Sequence, residues 1–328
     1  MLYSFYVFPA NPYGRLLFDT AGNLYGTTVT GNALDDSMSG TVFELDPESN
    51  LTELYRFAPL KSGDTDGANP FAGLVADAAG SLYGTTNVGG TEFGSTTVCR
   101  SFEGNGRPDY GCGTVFKLDT NGQETVLHSF TGPPDGEYTR ADLVMDAAGN
   151  LYGTTQGGGT SANCPVTFGC GIVFKIDTAG NETVLHSFTG APDGATPYSG
   201  LILDDAGNLY GTTLQGGTGG CPAPSGIGVA LAGPIGCGSV FKIDTTGKET
   251  VLYSFAGGTT DGANPVADLL IDADGNLYGT TVLGGTANGG TVFELKAPGS
   301  NDRRRHRRDE HHRDHFDHDG FRRFWPFF

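Results

Sequence analysis

The stretch DDAGNLYGTT, residues 204–213, decides the fold, because its second half occurs five times in a chain of 328 residues. Successive copies lie 58 to 69 residues apart. A repeat of this length indicates an array of supersecondary units, each too small to bury its own apolar surface. The five copies of Leu-Tyr-Gly-Thr-Thr begin at Leu24, Leu82, Leu151, Leu209 and Leu277.

Two further phrases recur five times and in the same order. Gly-(Thr/Ile/Ser)-Val-Phe begins at Gly40, Gly113, Gly171, Gly238 and Gly290. Leu-(Tyr/His)-(Ser/Arg)-Phe begins at Leu2, Leu54, Leu127, Leu185 and Leu252. His128 and His186 stand where the other copies of this phrase have Tyr, so we interpret them as aromatic substitutes within a strand.

One unit reads as four short strands joined by tight turns. Residues 204–208 have Asp at the first position and Gly at the fourth, which suits a type I turn closed by a left-handed glycine. Runs rich in Val, Ile, Thr, Tyr and Phe lie on either side, and no segment has a helical period. The sequence therefore predicts an all-β protein built from antiparallel blades of a β-propeller.

The two ends of the chain complement each other. The fifth unit stops after its third strand, residues 291–295, and the phrase of the missing fourth strand occupies residues 2–5. We therefore predict a five-bladed propeller over residues 1–299, closed by the N-terminal strand pairing with residues 291–295. An open array of the same units is the alternative.

Residues 300–328 differ sharply from the rest in composition. They hold eight of the 19 Lys and Arg but six of the 37 acidic residues, so the body carries a formal charge of about −20. Such a body repels phosphates and anionic membrane surfaces, and we expect neither nucleic acid nor a membrane as its partner. The aromatic residues that end the chain are too few to span a bilayer, so we expect no transmembrane segment.

Residues 300–328 mix both charge signs, which predicts a solvated, disordered tail. Two alternatives stay open for it. The basic run 303–308 is also typical of a nucleic-acid patch, and the alternating His and Asp residues of 311–319 suit a transition metal.

The six cysteines fall in pairs within the three longest loops between second and third strands. This placement favours three disulfides that each close one loop: Cys99–Cys112, Cys164–Cys170 and Cys221–Cys237. Zinc binding is the alternative, but the spacings do not match structural zinc sites. Disulfides imply an oxidising compartment, so we expect an extracellular or cell-surface protein. The first residues show no basic segment followed by an apolar core, and we expect the export signal to lie upstream.

The phrases Asp-x-x-Gly-Asn-Leu-Tyr-Gly-Thr-Thr, Gly-Gly-Thr and Gly-Thr-Val-Phe-(Lys/Glu)-Leu resemble the bacterial tandem repeat called GloVer, or Gloeo-Verruco. The resemblance covers residues 1–299. It implies an exported, surface-associated repeat protein and provides no established catalytic residues. Asp-x-x-Gly-Asn-Leu-Tyr is also loosely similar to NHL and gluconolactonase-type propellers.

The linkers between units carry the candidate ligand-binding residues. In a propeller these linkers share one face with the cysteine-containing loops, and loops on a rigid scaffold are a common place for binding. The four candidates all stand in Asp-Gly phrases: Asp66, Asp135, Asp193 and Asp261. Four acids around one axis favour a divalent cation such as calcium or a polyhydroxylated partner such as a cell-surface glycan. The alternative is that each Asp caps its own turn.

The near-identity of these acids favours binding over catalysis, because one substrate needs unlike groups in unlike roles. We therefore predict a monomeric, non-catalytic binding, adhesion or structural module without a cofactor. A carbohydrate- or lactone-active hydrolase or lyase is the alternative. Its site would lie in the enlarged loop of the second unit, which holds Glu92, Arg100, Glu103, Arg107 and Asp109.

Overall fold

The computed structural model describes residues 3–5, 11–29, 39–58, 65–91, 99, 111–161, 164, 169–221 and 236–297. All regular secondary structure in these ranges is β-strand, which confirms the all-β prediction. The predicted tail 300–328 lies outside the described residues, and so do the five charged residues of the enlarged second-unit loop.

The strands are short and evenly spread along the chain. The first thirteen are β1 (Leu17–Phe18), β2 (Leu24–Thr28), β3 (Thr41–Leu45), β4 (Leu51–Arg56), β5 (Gly67–Ala68), β6 (Val75–Ala76), β7 (Leu82–Thr86), β8 (Val88–Gly89), β9 (Thr114–Leu118), β10 (Glu124–Ser129), β11 (Gly136–Glu137), β12 (Val144–Met145) and β13 (Leu151–Thr155). The remaining thirteen are β14 (Gly157–Gly158), β15 (Ile172–Ile176), β16 (Glu182–Ser187), β17 (Gly194–Pro197), β18 (Ile202–Leu203), β19 (Leu209–Gly216), β20 (Ser239–Ile243), β21 (Glu249–Ser254), β22 (Gly262–Ala263), β23 (Leu270–Ile271), β24 (Leu277–Thr281), β25 (Leu283–Gly284) and β26 (Thr291–Leu295).

Each repeat forms one antiparallel sheet. Sheet 1 has the strand order β1-β2-β3-β4, sheet 2 β6-β7-β9-β10, sheet 3 β12-β13-β15-β16 and sheet 4 β18-β19-β20-β21. Sheet 5 has the order β23-β24-β26, and its fourth strand is absent from the described residues. The predicted unit of four short antiparallel strands is confirmed in sheets 1 to 4.

The Asp-x-x-Gly turns form as the sequence predicts. In sheet 4 the Oδ1 atom of Asp204 accepts the backbone N–H groups of Ala206 at 3.0 Å and Asn208 at 2.8 Å. Gly207 has φ +85°, a conformation that favours glycine. The hydroxyl of Tyr210 donates to Oδ2 of Asp204 at 3.0 Å, so the second strand is tied back to the turn that precedes it.

The glycine within each Leu-Tyr-Gly-Thr-Thr strand leaves room for a neighbouring ring. A Cβ atom on Gly211 would lie 2.7 Å from Cζ of Phe241 and 2.9 Å from a methyl group of Leu201. Any side chain at this glycine would therefore displace the core.

Consecutive sheets pack face to face through pairs of phenylalanine rings. The Phe that follows each fourth strand meets the Phe of the third strand in the next sheet, edge to face, at centroid distances of 5.1–5.2 Å. The four pairs are Phe57–Phe116, Phe130–Phe174, Phe188–Phe241 and Phe255–Phe293. Because each pair joins two repeats, the core is shared between sheets rather than enclosed within one.

At the ends of the array, one of the two contacts that ring closure requires is present. Phe5 packs against Phe43 of sheet 1 at 5.4 Å, in the same way as the Phe pairs between the other sheets. Residues 3–5 have no strand assignment, however, and within the described ranges β26 pairs with β24 alone. Val292 on β26 is 82% exposed, whereas its four counterparts are fully buried. The expected pairing of residues 2–5 with 291–295 is thus absent from the part of the chain that the structure describes.

Candidate functional site on the loop face

The linkers between sheets are hydrogen-bonded to the loops that follow the second strands. β5 pairs with β8, β11 with β14, β17 with β19 and β22 with β25, always through facing glycines such as Gly136 and Gly158. We call the surface made by these linkers and loops the loop face. The Gly-Gly phrase after four of the five second strands is the sequence signal that could have predicted this extra layer.

Asn-Pro phrases anchor two of the linkers to the sheet before them. Asn69 has φ +56°, and its side-chain amide donates to the carbonyl of Val29 in sheet 1 at 2.9 Å. Asn264 repeats this geometry, with φ +57° and a bond to the carbonyl of Leu214 at 2.8 Å. Asparagine suits this position because it tolerates the left-handed conformation and supplies a donor.

The three predicted disulfides are present. Cys99–Cys112, Cys164–Cys170 and Cys221–Cys237 join Cα atoms 5.2, 5.2 and 5.0 Å apart, within the ordinary range for a disulfide. Each closes one loop on itself, and no described cysteine is free. The loop face is therefore cross-linked at its three largest loops.

The four candidate aspartates cap the turns of their own linkers. Oδ1 of Asp135 accepts the N–H of Gly136 at 2.6 Å, and Oδ2 accepts the N–H of Thr131 at 2.9 Å. Asp66 and Asp261 accept the corresponding pairs of backbone N–H groups. Asp193 keeps the bond from Thr189, at 3.0 Å. Each carboxylate thus uses part of its hydrogen-bonding capacity within its own turn. Ligand binding by these aspartates stays a prediction.

A β-bulge aims an aromatic side chain at each of these aspartates. In sheet 2 Val126 lies opposite Phe116 and His128 opposite Val115, so Leu127 is the extra residue. A bulge re-aims the side chains that follow it, and here it turns His128 toward the next sheet. Nε2 of His128 lies 3.2 Å from Oδ2 of Asp135. Interpreting this histidine only as an aromatic substitute therefore missed its polar partner.

The same arrangement recurs at the other junctions with His or Tyr. His186 reaches Asp193 at 3.2 Å, while the hydroxyls of Tyr55 and Tyr253 donate to Asp66 and Asp261 at 3.1 and 3.0 Å. In three of these pairs the Asp also lies near enough to a Glu on the fourth strand of the following sheet to raise the pKa of that Glu. We call the resulting sets junction clusters: Tyr55/Asp66/Glu124, His128/Asp135/Glu182 and His186/Asp193/Glu249.

The glutamates of the junction clusters are harder to ionise than free ones. Burial, followed by the nearby charge of Asp66, raises the pKa of Glu124 to about 7. Burial also raises the pKa of Glu182 and Glu249, with smaller contributions from Asp135 and Asp193 respectively. The Glu-Thr-Val-Leu phrase recurs in the sequence, but its approach to the preceding linker depends on how sheets stack.

The residues that follow the linkers form a row of mostly aromatic and basic side chains that sequence reasoning missed. The row occupies one equivalent position in each repeat, two residues after the Asn of Asn-Pro, and consists of Tyr13, Phe71, Arg140, Tyr198 and Val266. The rings of Tyr13 and Phe71 are 5.7 Å apart, and the Arg140 guanidinium lies 4.5 Å from the Phe71 centroid. Nη1 of Arg140 donates to the hydroxyl of Tyr198 at 3.2 Å. We call this row the platform; Tyr13 is exposed and the other four are half-buried.

A second row of unlike residues lies two positions further along each repeat: Arg15, Gly73, Asp142, Gly200 and Asp268. Oδ1 of Asp142 accepts the N–H of Gly73 at 2.6 Å, and Asp268 accepts that of Gly200 at 2.6 Å. Arg15 approaches Asp142 at 3.4 Å. Burial, and to a lesser extent the charge of Asp268, raises the pKa of Asp142. Both rows occupy positions at which the repeats differ in sequence. That divergence is the signal that could have predicted them.

These features define a propeller-like all-β protein whose sheets are joined by cross-linked and hydrogen-bonded loops on one face. The model of the Gloeobacter/Verrucomicrobia repeat family matches residues 101–223 of the chain. The match confirms the resemblance drawn from the repeated phrases over that stretch, which includes all of sheet 3.

Solved structures resemble the chain at low sequence identity. A protein provisionally described as a gluconolactonase has 12% identity and a TM-score of 0.41, with 89% of this chain and 84% of that chain covered. A luciferin-regenerating enzyme has 13% identity and a TM-score of 0.46, with 88% and 92% covered. A protein of unknown function from Dyadobacter fermentans has 12% identity and a TM-score of 0.46, with 87% and 79% covered.

These likenesses concern the all-β fold alone. No curated protein matches the chain by sequence. Within the described ranges, no helix is both long and apolar enough to cross a membrane.

Proposed function

We propose that the protein is an exported, non-catalytic binding module that holds a polyhydroxylated ligand, such as a cell-surface glycan, on the platform. The observation that carries this proposal is the unbroken contact series Tyr13–Phe71–Arg140–Tyr198. It combines partly exposed ring faces with a guanidinium at a position where the repeats differ in sequence. Aromatic surface with a few placed polar groups is the usual composition of a small-ligand site.

The ligand chemistry follows from these groups. The carbon-bound hydrogens of a sugar ring pack against an aromatic face. The sugar hydroxyls accept hydrogen bonds from the guanidinium of Arg140, and they donate to or accept from the hydroxyls of Tyr13 and Tyr198. The disulfides and the linker–loop pairings hold this surface in place, which lowers the ordering cost of binding.

Charge narrows the class of ligand further. Asp66, Asp135, Asp193 and Asp261 place four carboxylates on the same face, in a body that is strongly acidic throughout. Their negative potential disfavours anions. It is compatible with a neutral glycan, and also with a divalent cation such as calcium bound beside it.

The location of the protein follows from its disulfides. Three loop-closing disulfides indicate an oxidising compartment. A position outside the cell, in contact with surface glycans, is the setting that this proposal requires.

We also propose that the repeats close into a five-bladed ring, with residues 1–5 as the fourth strand of sheet 5. Two observations support closure: Phe5 already makes the inter-sheet contact with Phe43, and the exposed Val292 lies on a strand whose outer edge has no described partner. Pairing of these two segments would remove an open sheet edge.

A glycan array probed with the full chain and two variants tests the binding proposal. Arg140→Ala removes the platform cation, and we expect it to lose most of the signal seen with the wild type. Lys175→Ala is the matched control, because Lys175 also lies over a ring, that of Tyr152 at 5.8 Å, outside the platform. Equal signals for Arg140→Ala and the wild type, or no glycan bound by the wild type, would contradict the proposal.

An enzyme of the carbohydrate- or lactone-active kind is the second candidate. It is favoured by the second row, where the charged groups Arg15, Asp142 and Asp268 differ in kind and stand two positions after platform residues. Incubating the array's bound glycans and a set of lactones with the wild type and Asp142→Asn separates the two functions. The protein would be an enzyme if the wild type forms a product and Asp142→Asn binds the same compound without forming it.

A further inference from the structure

Three potential metal ligands from two sheets meet at one junction cluster. His186 comes from β16 of sheet 3, Asp193 from the linker and Glu249 from β21 of sheet 4. One ligand atom from each residue lies within 4.8 Å of the other two. Nε2 of His186 and Oδ2 of Asp193 are 3.2 Å apart.

Asp193 differs from its three counterparts in a way that leaves one oxygen without a role. Oδ1 of Asp66, Asp135 and Asp261 accepts the N–H of the following glycine at 2.8, 2.6 and 2.7 Å. Oδ1 of Asp193 is shielded from solvent and has no hydrogen-bond partner in the described part of the chain, and the same holds for Oε1 of Glu249. Carboxylate oxygens without partners are costly away from water, and a cation removes that cost.

We propose that His186, Asp193 and Glu249 bind one divalent transition-metal ion, with Zn²⁺ as the best-fitting probe. Divalent transition-metal ions bind imidazole nitrogen together with carboxylate oxygens. Calcium and magnesium prefer oxygen ligands alone, so the imidazole of His186 makes them a poorer fit. Two ligands of a tetrahedral zinc ion stand about 3.4 Å apart at ordinary bond lengths, close to the His186–Asp193 separation. Three protein ligands leave a fourth position for water.

The ion joins sheets 3 and 4, since its ligands lie on both sides of their junction. The Tyr55/Asp66/Glu124 cluster lacks the imidazole. In the His128/Asp135/Glu182 cluster, Oδ1 of Asp135 is already held by Gly136. The proposal is independent of ligand binding at the platform.

Calorimetric titration of the full chain with Zn²⁺, after treatment with a chelator, tests this site. The five histidines of residues 300–328 are first replaced by Ala in every protein used, because they would also bind the ion. We expect one Zn²⁺ per chain and a melting temperature that rises when Zn²⁺ is added. His186→Tyr, which installs the residue of the sister clusters and keeps a ring beside Phe188, should weaken binding by at least about 100-fold.

His128→Tyr is the matched control, because it makes the same exchange at the neighbouring junction, and it should bind as its parent does. Glu249→Gln provides a second test that leaves both histidines in place, and it should also weaken binding and lose the melting shift. The proposal is overturned if the parent binds no Zn²⁺, or if Glu249→Gln and His186→Tyr bind it as tightly as His128→Tyr.

Discussion

At the scale of the residue, Glu137 departs most from its copies in the other linkers. The equivalent positions hold Ala68, Ala195 and Ala263, whereas Glu137 is 1% exposed and its Oε1 has no hydrogen-bond partner among the described residues. Burial raises the pKa of Glu137 to about 8. The folded protein therefore keeps a proton here that the unfolded chain releases near pH 4.5, so stability falls as the pH rises through this window.

Glu137→Gln should remove that loss of stability, because a neutral amide imitates the protonated acid at every pH. We expect the variant to match the stability of the wild type near pH 4 and to exceed it at pH 9, by at most about 5 kcal/mol. Urea unfolding between pH 4 and pH 9 measures the difference, with the exposed Glu48→Gln as control. Parallel pH curves for the wild type and Glu137→Gln would show that the carboxyl is not buried as described.

At the scale of the element, the disulfides act on loops of different length. Cys164–Cys170 spans 6 residues of sequence and Cys221–Cys237 spans 16. A longer closed loop loses more entropy in the unfolded chain. Removing the longer closure should therefore be the more costly change.

Replacing both cysteines of one pair by Ser tests this order. We expect Cys221→Ser with Cys237→Ser to lower the free energy of unfolding by about 3 kcal/mol, and the pair at 164 and 170 by about 2 kcal/mol. Chemical denaturation of the two double variants gives both values. The reverse order would indicate that loop closure is not the source of the stabilisation.

The outer edge of β26 provides the element-scale test of ring closure. If residues 1–5 form the fourth strand of sheet 5, backbone amides on both edges of β26 should exchange slowly with deuterium. Deleting residues 1–5 should make one edge exchange fast while β20 of sheet 4 stays protected. Fast exchange along β26 in the full chain would favour the open array.

At the scale of the whole molecule, the sequence predicted what the repeats share. The four strands, the Asp-x-x-Gly turns and the paired cysteines are local features repeated several times, so each copy supports the others. The two-residue strands β5, β11 and β22 are too short to show a period, and they were not predicted. The approach of Glu249 to Asp193 depends on how one sheet stacks on the next, which no single repeat encodes.

The platform was not predicted, for a related reason. Its members differ from repeat to repeat, while the sequence reasoning followed the recurrent Asp-Gly phrases. Tyr13, Phe71 and Arg140 become one surface only because equivalent positions of successive repeats lie side by side. A repeat fold thus makes its scaffold easy to predict and its unlike residues easy to overlook.

The central claim is that the platform holds the ligand. Truncating two equally exposed aromatic residues, one on the platform and one outside it, tests this claim most directly. Tyr13 on the platform is 69% exposed and Phe18 on β1 is 67% exposed, so truncating either should cost little stability. The affinity for a glycan identified on the array is measured by calorimetry for Tyr13→Ala and Phe18→Ala. We expect Tyr13→Ala to lose about tenfold or more in affinity and Phe18→Ala to bind as the wild type does. Equal affinities for the two variants and the wild type would contradict the claim.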